Sequence, residues 1–284
     1  MSGDGADLLL NFEKETLSGD YLRYYESKRG NFRNSLSAYP GIWKGLMLLN
    51  EIWMREFNAL SHQREPNRAL PVQLFMIAHS HFLASIEIGF SGLIKEACNT
   101  MRMGMEAIYH ACRMLADPAL QKAWMQKGRH TEEAIREFEK AFEKNRTKNF
   151  ETLGLDDLLK HWEDYSEWSH TNLEALVGKL TYEPASAVPG TSLLTRRVGV
   201  LYFENDPRVL AVRLIGLLEA AWSMEKVFFD RFPDRLKLDH VLLDKRHEFV
   251  RFFQGLVVET FRRFKIPVPT SPPPPRRTEK TNRS

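Results

Sequence analysis

Apolar residues recur at intervals of three and four along almost all of this 284-residue chain, and that periodicity limits what it can fold into. Four long stretches carry helical periodicity, "IWKGLMLLNEIWMREFNALSHQ" (42–63), "GLIKEACNTMRMGMEAIYHACRMLA" (92–116), "RVLAVRLIGLLEAAWSMEKVFFDRF" (208–232) and "DHVLLDKRHEFVRFFQGLVVETFRRFK" (239–265), and the first two are clearly amphipathic. The one stretch that does not read as helical, about 180–204, is rich in β-branched and aromatic residues, with "LTYEP" and "RRVGVLYFEN" flanking "ASAVPGTS". The expectation is an all-α fold: a multi-helix bundle with a short β-hairpin-like insert at about 180–204.

Breakers divide the pattern. The first segment, about 6–30, is interrupted near Gly19. Pro40-Gly41 reads as a turn in "YPGIW" (39–43), and "REPNRALP" separates the second helix from a third over about 71–88. "GFSG" (89–92) ends that helix, with Ser91 placed to cap the next. Asp117-Pro118 and Asp206-Pro207 each combine an N-cap aspartate with proline at the first helical position. Thr131 caps a charged, peripheral helix reaching about residue 146, and Asp156-Asp157 opens another. From Ile266 onward "IPVPTSPPPPRRTEKTNRS" cannot bury enough apolar surface to fold. The expected organisation is one helical domain over 1–265 and a disordered, Pro-rich, basic tail over 266–284.

The tail also carries the charge. Residues 262–284 hold seven Lys/Arg and one acid, +6 of the formal net +3, so residues 1–261 are mildly acidic at −3. An acidic body argues against a broad nucleic-acid footprint and leaves room for a local basic patch. The P-x-x-P run before Arg276 could engage a groove as a polyproline helix, but a plain disordered terminus is the simpler reading. "MSGDGADLLLNFEKE" has no basic n-region before an apolar run, so no secretory signal is expected there. Residues 72–94 are long and apolar enough to span a membrane, yet they include His79, His81 and Glu87, which favours a core helix. Cys98 and Cys112 would stand about 21 Å apart on one helix, too far to bridge. They read as free thiols of a cytoplasmic protein.

Two polar stripes could carry chemistry. On the 92–116 helix, Arg102, Glu106, His110 and Arg113 fall within roughly 80° of one another. On the helix opened by Asp156, "HWEDYSEWSHTN" (161–172) places Ser166 and His170 at i,i+4, with Glu174 one turn further. Ser169 points elsewhere, because adjacent helical residues do not face each other. A hydroxyl, an imidazole and a carboxylate on one face suit acid–base work. A metal centre is not expected: Glu106/His110 and His170/Glu174 are spaced i,i+4, whereas di-iron bundles use Glu-x-x-His. Gly-rich phosphate loops and nucleophile elbows are absent from the sequence, and no cofactor is implied.

The order "MRMGMEAIY", "ADPALQKAW", charged helix, "YSEWSH" resembles an uncharacterised bacterial all-α protein family with Arg-x-x-x-Glu on one helix and Ser-x-x-x-His on a later one. The likeness covers about 75–175 and singles out Arg102, Glu106, Ser166 and His170. That group looks distantly HEPN-like, which implies RNA processing or nucleotide binding in a toxin or phage-defence setting. HEPN ribonucleases space Arg and His by four to six residues, and Arg102 and His110 have seven between them. The expectation is that Arg102 binds phosphate, His170 is the acid–base group, and Glu106 orients one of them. The partner would be RNA or a nucleotide, with no membrane. The alternative is a non-catalytic helical interaction protein, with a protein partner or as a homodimer.

Overall fold

The computed structural model describes residues 19–60, 65–169, 180–182, 186–187, 194–195, 198–200, 203–204 and 206–266, with the backbone alone over 180–200. The fold is all-α. In chain order the helices are α1 (Gly19–Ala38), α2 (Pro40–Leu60), α3 (Pro66–Phe90), α4 (Ile94–Ala116), α5 (Leu120–Lys127) and α6 (Glu132–Phe138). A π-helical segment (Glu139–Glu143) follows, then α7 (Arg146–Thr152), α8 (Asp156–Ser169), α9 (Pro207–Arg231), α10 (Pro233–Leu236) and α11 (His240–Arg263). Strand pairing among the described residues is limited to two short antiparallel ladders, Leu180–Tyr182 with Val198–Val200 and Ser186–Ala187 with Leu194–Thr195. Residues 6–18 and the tail from 267 lie outside the described residues.

α9 is the central element, packing on α2, α3, α4, α8 and α11. Its buried set, including Leu210, Leu214, Leu217, Leu218, Ala221, Met224 and Phe228, wraps most of its circumference, as a helix surrounded by others requires. α2 shows a one-sided stripe instead: Ile42, Leu46, Leu49, Trp53, Phe57 and Leu60 are buried. α3 and α4 form the tightest pair, and Gly104 permits it. A Cβ there would lie 3.2 Å from His81 Cβ and 3.3 Å from the Ala78 carbonyl. α3 is long and apolar enough to cross a membrane by composition. Leu74, Phe75, Ala78, Phe82, Ile86 and Phe90 bury one side of it in the core, which accounts for that hydropathy. Aromatic rings meet at its centre: Phe228 stacks on Phe75 at 4.4 Å and on Trp53 at 5.6 Å, and meets Phe57 at 5.3 Å.

Caps read from sequence hold where they are local. Thr131 accepts from Ala134 N at 3.2 Å, and Asp206 accepts from Arg208 N at 2.8 Å with Pro207 opening α9. Four boundaries differ. Pro40 is not in a turn but is the first residue of α2, and Gly41 is helical. α3 starts at Pro66, so Pro71 lies inside it. Proline offers no N–H to the carbonyl four residues back, which here is Asn67. Gln121 on α5 donates to that carbonyl at 2.6 Å, supplying the missing bond from another helix. Ser91 does not cap α4; its hydroxyl turns back to the Glu87 carbonyl at 3.0 Å. Gly92, at φ +83°, closes α3 with a Schellman pair, Leu93 N to Ile88 O and Gly92 N to Gly89 O. Asp117 ends α4 as its C-cap, its carboxylate accepting from Ala119 N at 3.1 Å.

One buried cluster is electrostatic. Glu56 on α2 and Glu225 on α9 are fully buried, and Arg246 on α11 reaches between them. Arg246 hydrogen-bonds Glu225 and stands 3.6 Å from Glu56, too far for a hydrogen bond. Its guanidinium lies over Phe229 at 3.8 Å and Trp222 at 4.9 Å. Burial raises the Glu56 pKa well above the carboxylate range, against the pull of Arg246, so Glu56 favours its neutral form.

Candidate functional site

α4 and α8 pack side by side and run antiparallel. Glu106 on α4 meets Trp162 on α8, while Cys98, two turns earlier on α4, lies near Tyr165, later on α8. Glu106 of the α4 stripe therefore lies on the α4–α8 seam, against the Trp162 side of α8. The sequence-derived pairing inside it is different. Arg102 does not bond Glu106; one terminal nitrogen reaches Asn99 Oδ1 at 3.4 Å, and its Nε is buried without a partner. Glu106 instead accepts from Arg146 on α7 at 3.3 Å and from the Trp162 indole N–H at 3.3 Å. Glu106 was expected to orient Arg102 or His170; it holds Arg146 rather than Arg102, and His170 is outside the described residues. Ser166 donates to the Trp162 carbonyl at 2.7 Å, the back-bond common for helical serines. His170 and Glu174 lie outside the described residues.

Arg146 and Trp162 are the site residues that sequence reasoning missed. Arg146 looked like one charge of many on a peripheral helix, but that helix is not continuous. It widens into the π-segment at 139–143, where Lys144 N bonds Glu139 O, and then breaks at Asn145, at φ 58°. Asparagine tolerates that left-handed conformation better than most residues. The break starts α7 on a new axis and swings Arg146 toward α4. There it also pairs with Glu143 and lies 5.2 Å from the Trp162 ring centroid. Trp162 packs against the core, and its indole N–H is the part an apolar pattern cannot show.

The remaining stripe residues serve the same junction. The last carbonyls of a helix lack intrahelical partners. α4 supplies them: Tyr109 donates to the Phe142 carbonyl at 2.7 Å and Arg113 to the Ala141 carbonyl at 2.9 Å. Asn149 then donates to Tyr109 Oη at 3.2 Å, and Tyr109 stacks on Phe150 at 4.6 Å. Replacing Tyr109 by phenylalanine should cost about 1–2 kcal/mol, since it strands a buried carbonyl while keeping the ring. Urea denaturation of Tyr109→Phe checks this; no change in midpoint would sink the account of the seam.

His110 faces Phe138 and Phe142 edge-on, and its Nε2 is buried without a partner. Burial, with help from the Arg146 and Lys127 charges, lowers its pKa to about 3. It is neutral near neutral pH and cannot serve as an acid there. Burial likewise pushes the Cys98 and Cys112 thiols up to about 11, so neither is an activated nucleophile. No group of three or more His, Cys, Asp or Glu side chains able to hold a metal ion occurs among the described residues.

No family model, no curated protein and no solved structure matches this chain.

Proposed function

We propose that this chain is a helical phosphate-binding module of HEPN-like type that takes RNA or a nucleotide at the α4–α8 seam. The observation that carries the reading is Arg102: a half-buried guanidinium on the seam, with a buried Nε that has no partner and a single long bond to Asn99. A planar donor fork of this kind suits a phosphate oxygen. Arg146 stands on the same seam, held by Glu106 and Glu143. Arg102 would bind the phosphate. His170, four residues after Ser166 in the sequence, would be the acid–base group if the bound strand is cut.

The test is binding and cleavage of single-stranded RNA and of nucleotides by wild type, Arg102→Ala and His170→Ala. Arg102→Ala should weaken binding by about tenfold, on the order of one charge-assisted contact. His170→Ala should keep binding and lose any cleavage. Neither binding nor cleavage by the folded wild type would overturn the proposal. That outcome leaves the interaction-protein reading, which rests on Met54, Met76 and Ile77, exposed on α2 and α3 at 45%, 50% and 44%. Light scattering would then show whether a second copy covers them.

A further inference from the structure

We propose that the cleft bounded by α1, α2 and α3 is a separate binding site for an amphipathic anion, a carboxylate on an apolar chain. It is independent of the α4–α8 seam. Its volume is about 460 Å³, within the range of sites that enclose a small organic molecule. α1 builds one wall from residues spaced by three and four, so that Lys28, Arg29, Phe32 and Arg33 face the same cleft.

The chemistry of the lining is divided by depth. The floor is apolar: Leu46 and Ile86 are 3% and 1% exposed, and Phe32 stands edge-on to Trp43 at 6.0 Å. Met47 and Leu83, 41% and 37% exposed, extend that apolar surface to the rim. Among the described residues, Lys28, Arg29 and Arg33 on α1 line the cleft with one carboxylate, Glu87. Lys28 and Arg33 form no ion pair among the described residues, and long basic side chains lay their stems on apolar surface while keeping the charged head in water. An apolar body on the floor and a negative head at the rim satisfy both parts.

The same lining disfavours a nucleotide. Among the described residues no asparagine or glutamine lines the cleft, and the Ser91 hydroxyl is already spent on the Glu87 carbonyl at 3.0 Å. A base edge laid on the apolar floor of Leu46, Ile86 and Phe32 would leave its donors and acceptors unpaired, at about 1–3 kcal/mol for each group. A saturated or aromatic body carries no such groups.

Calorimetry on the full chain distinguishes the possibilities with four probes. Dodecanoate, below its micelle concentration, should bind at one site. Acetate, the head without the tail, should not bind. Dodecyltrimethylammonium, the same tail with the opposite charge, should bind at least about tenfold more weakly. Adenosine monophosphate should not compete with dodecanoate. The double variant Lys28→Glu/Arg33→Glu should lose at least about tenfold in dodecanoate affinity with an unchanged circular dichroism spectrum. Lys28→Gln/Arg33→Gln, which adds no repulsion, should show a smaller loss in the same direction. Arg102→Ala should leave dodecanoate binding alone, so failure here and failure at the seam are told apart. The proposal is overturned if dodecanoate does not bind, if the cationic amphiphile binds equally well, if adenosine monophosphate displaces dodecanoate, or if both double variants bind dodecanoate like wild type.

Discussion

Arg246→Met should remove about 3–5 kcal/mol of stability at neutral pH, because it withdraws the cation that hydrogen-bonds the fully buried Glu225. Methionine keeps most of the packing against Phe229 and Trp222, so the loss reports charge rather than volume. Urea denaturation followed by circular dichroism measures it, and a loss under about 1 kcal/mol would show that the cluster does not depend on its arginine. Glu56→Gln should act in the opposite direction. The folded pKa of Glu56 is raised, so the folded state holds its proton more tightly than the unfolded chain. That contribution is fully present below the ordinary value of 4.5 and is lost as pH rises through the folded value. Glu56→Gln removes this dependence, so its stability relative to wild type should grow as pH rises. His110 works in the other direction. Its folded pKa is lowered from 6.5 to about 3, so its contribution is complete above 6.5 and erodes as pH falls toward 3. Wild type should therefore be squeezed from both sides, and Glu56→Gln should release only the alkaline side.

Phe228→Ala should cost about 3–5 kcal/mol. Its ring is fully buried and touches Trp53, Phe57, Phe75 and Phe232, which sit on α2, α3 and the α9–α10 junction. None of these rings can close the gap without leaving another neighbour, so the cavity stays largely open. Thermal unfolding checks it: for a chain of this size, each 1 kcal/mol lowers Tm by roughly 2–4 °C. A shift no larger than that for one such unit would mean the cluster relaxes.

The outcome at each position depended on how far away the deciding atom lies. Thr131 and Asp206 were legible because an N-cap is settled within three residues. Pro71 was not, because a helix passes through it only when something else satisfies the Asn67 carbonyl, and Gln121 is fifty residues downstream. Arg102 and Glu106 share one face of α4, but the partner of Glu106 was not legible. The competing partner, Arg146, arrives through a π-segment and a left-handed asparagine that no apolar period announces. Glu56 left a trace that was passed over: it continues the buried series Leu49, Trp53, Leu60, so a charge stood on an apolar stripe. Such a position asks for a partner, and only the fold could name Arg246.

Of the four hydrogen bonds described between α4 and the 139–152 region, two end on main-chain oxygens, those of Ala141 and Phe142. Every residue type supplies a carbonyl, so those two bonds survive substitution at Ala141 and Phe142 as long as the backbone keeps its course. The other two need particular side chains in the arm, Arg146 on Glu106 and Asn149 on Tyr109. Tolerance to substitution therefore alternates along the arm, wide where it offers only its main chain and narrow at Arg146 and Asn149.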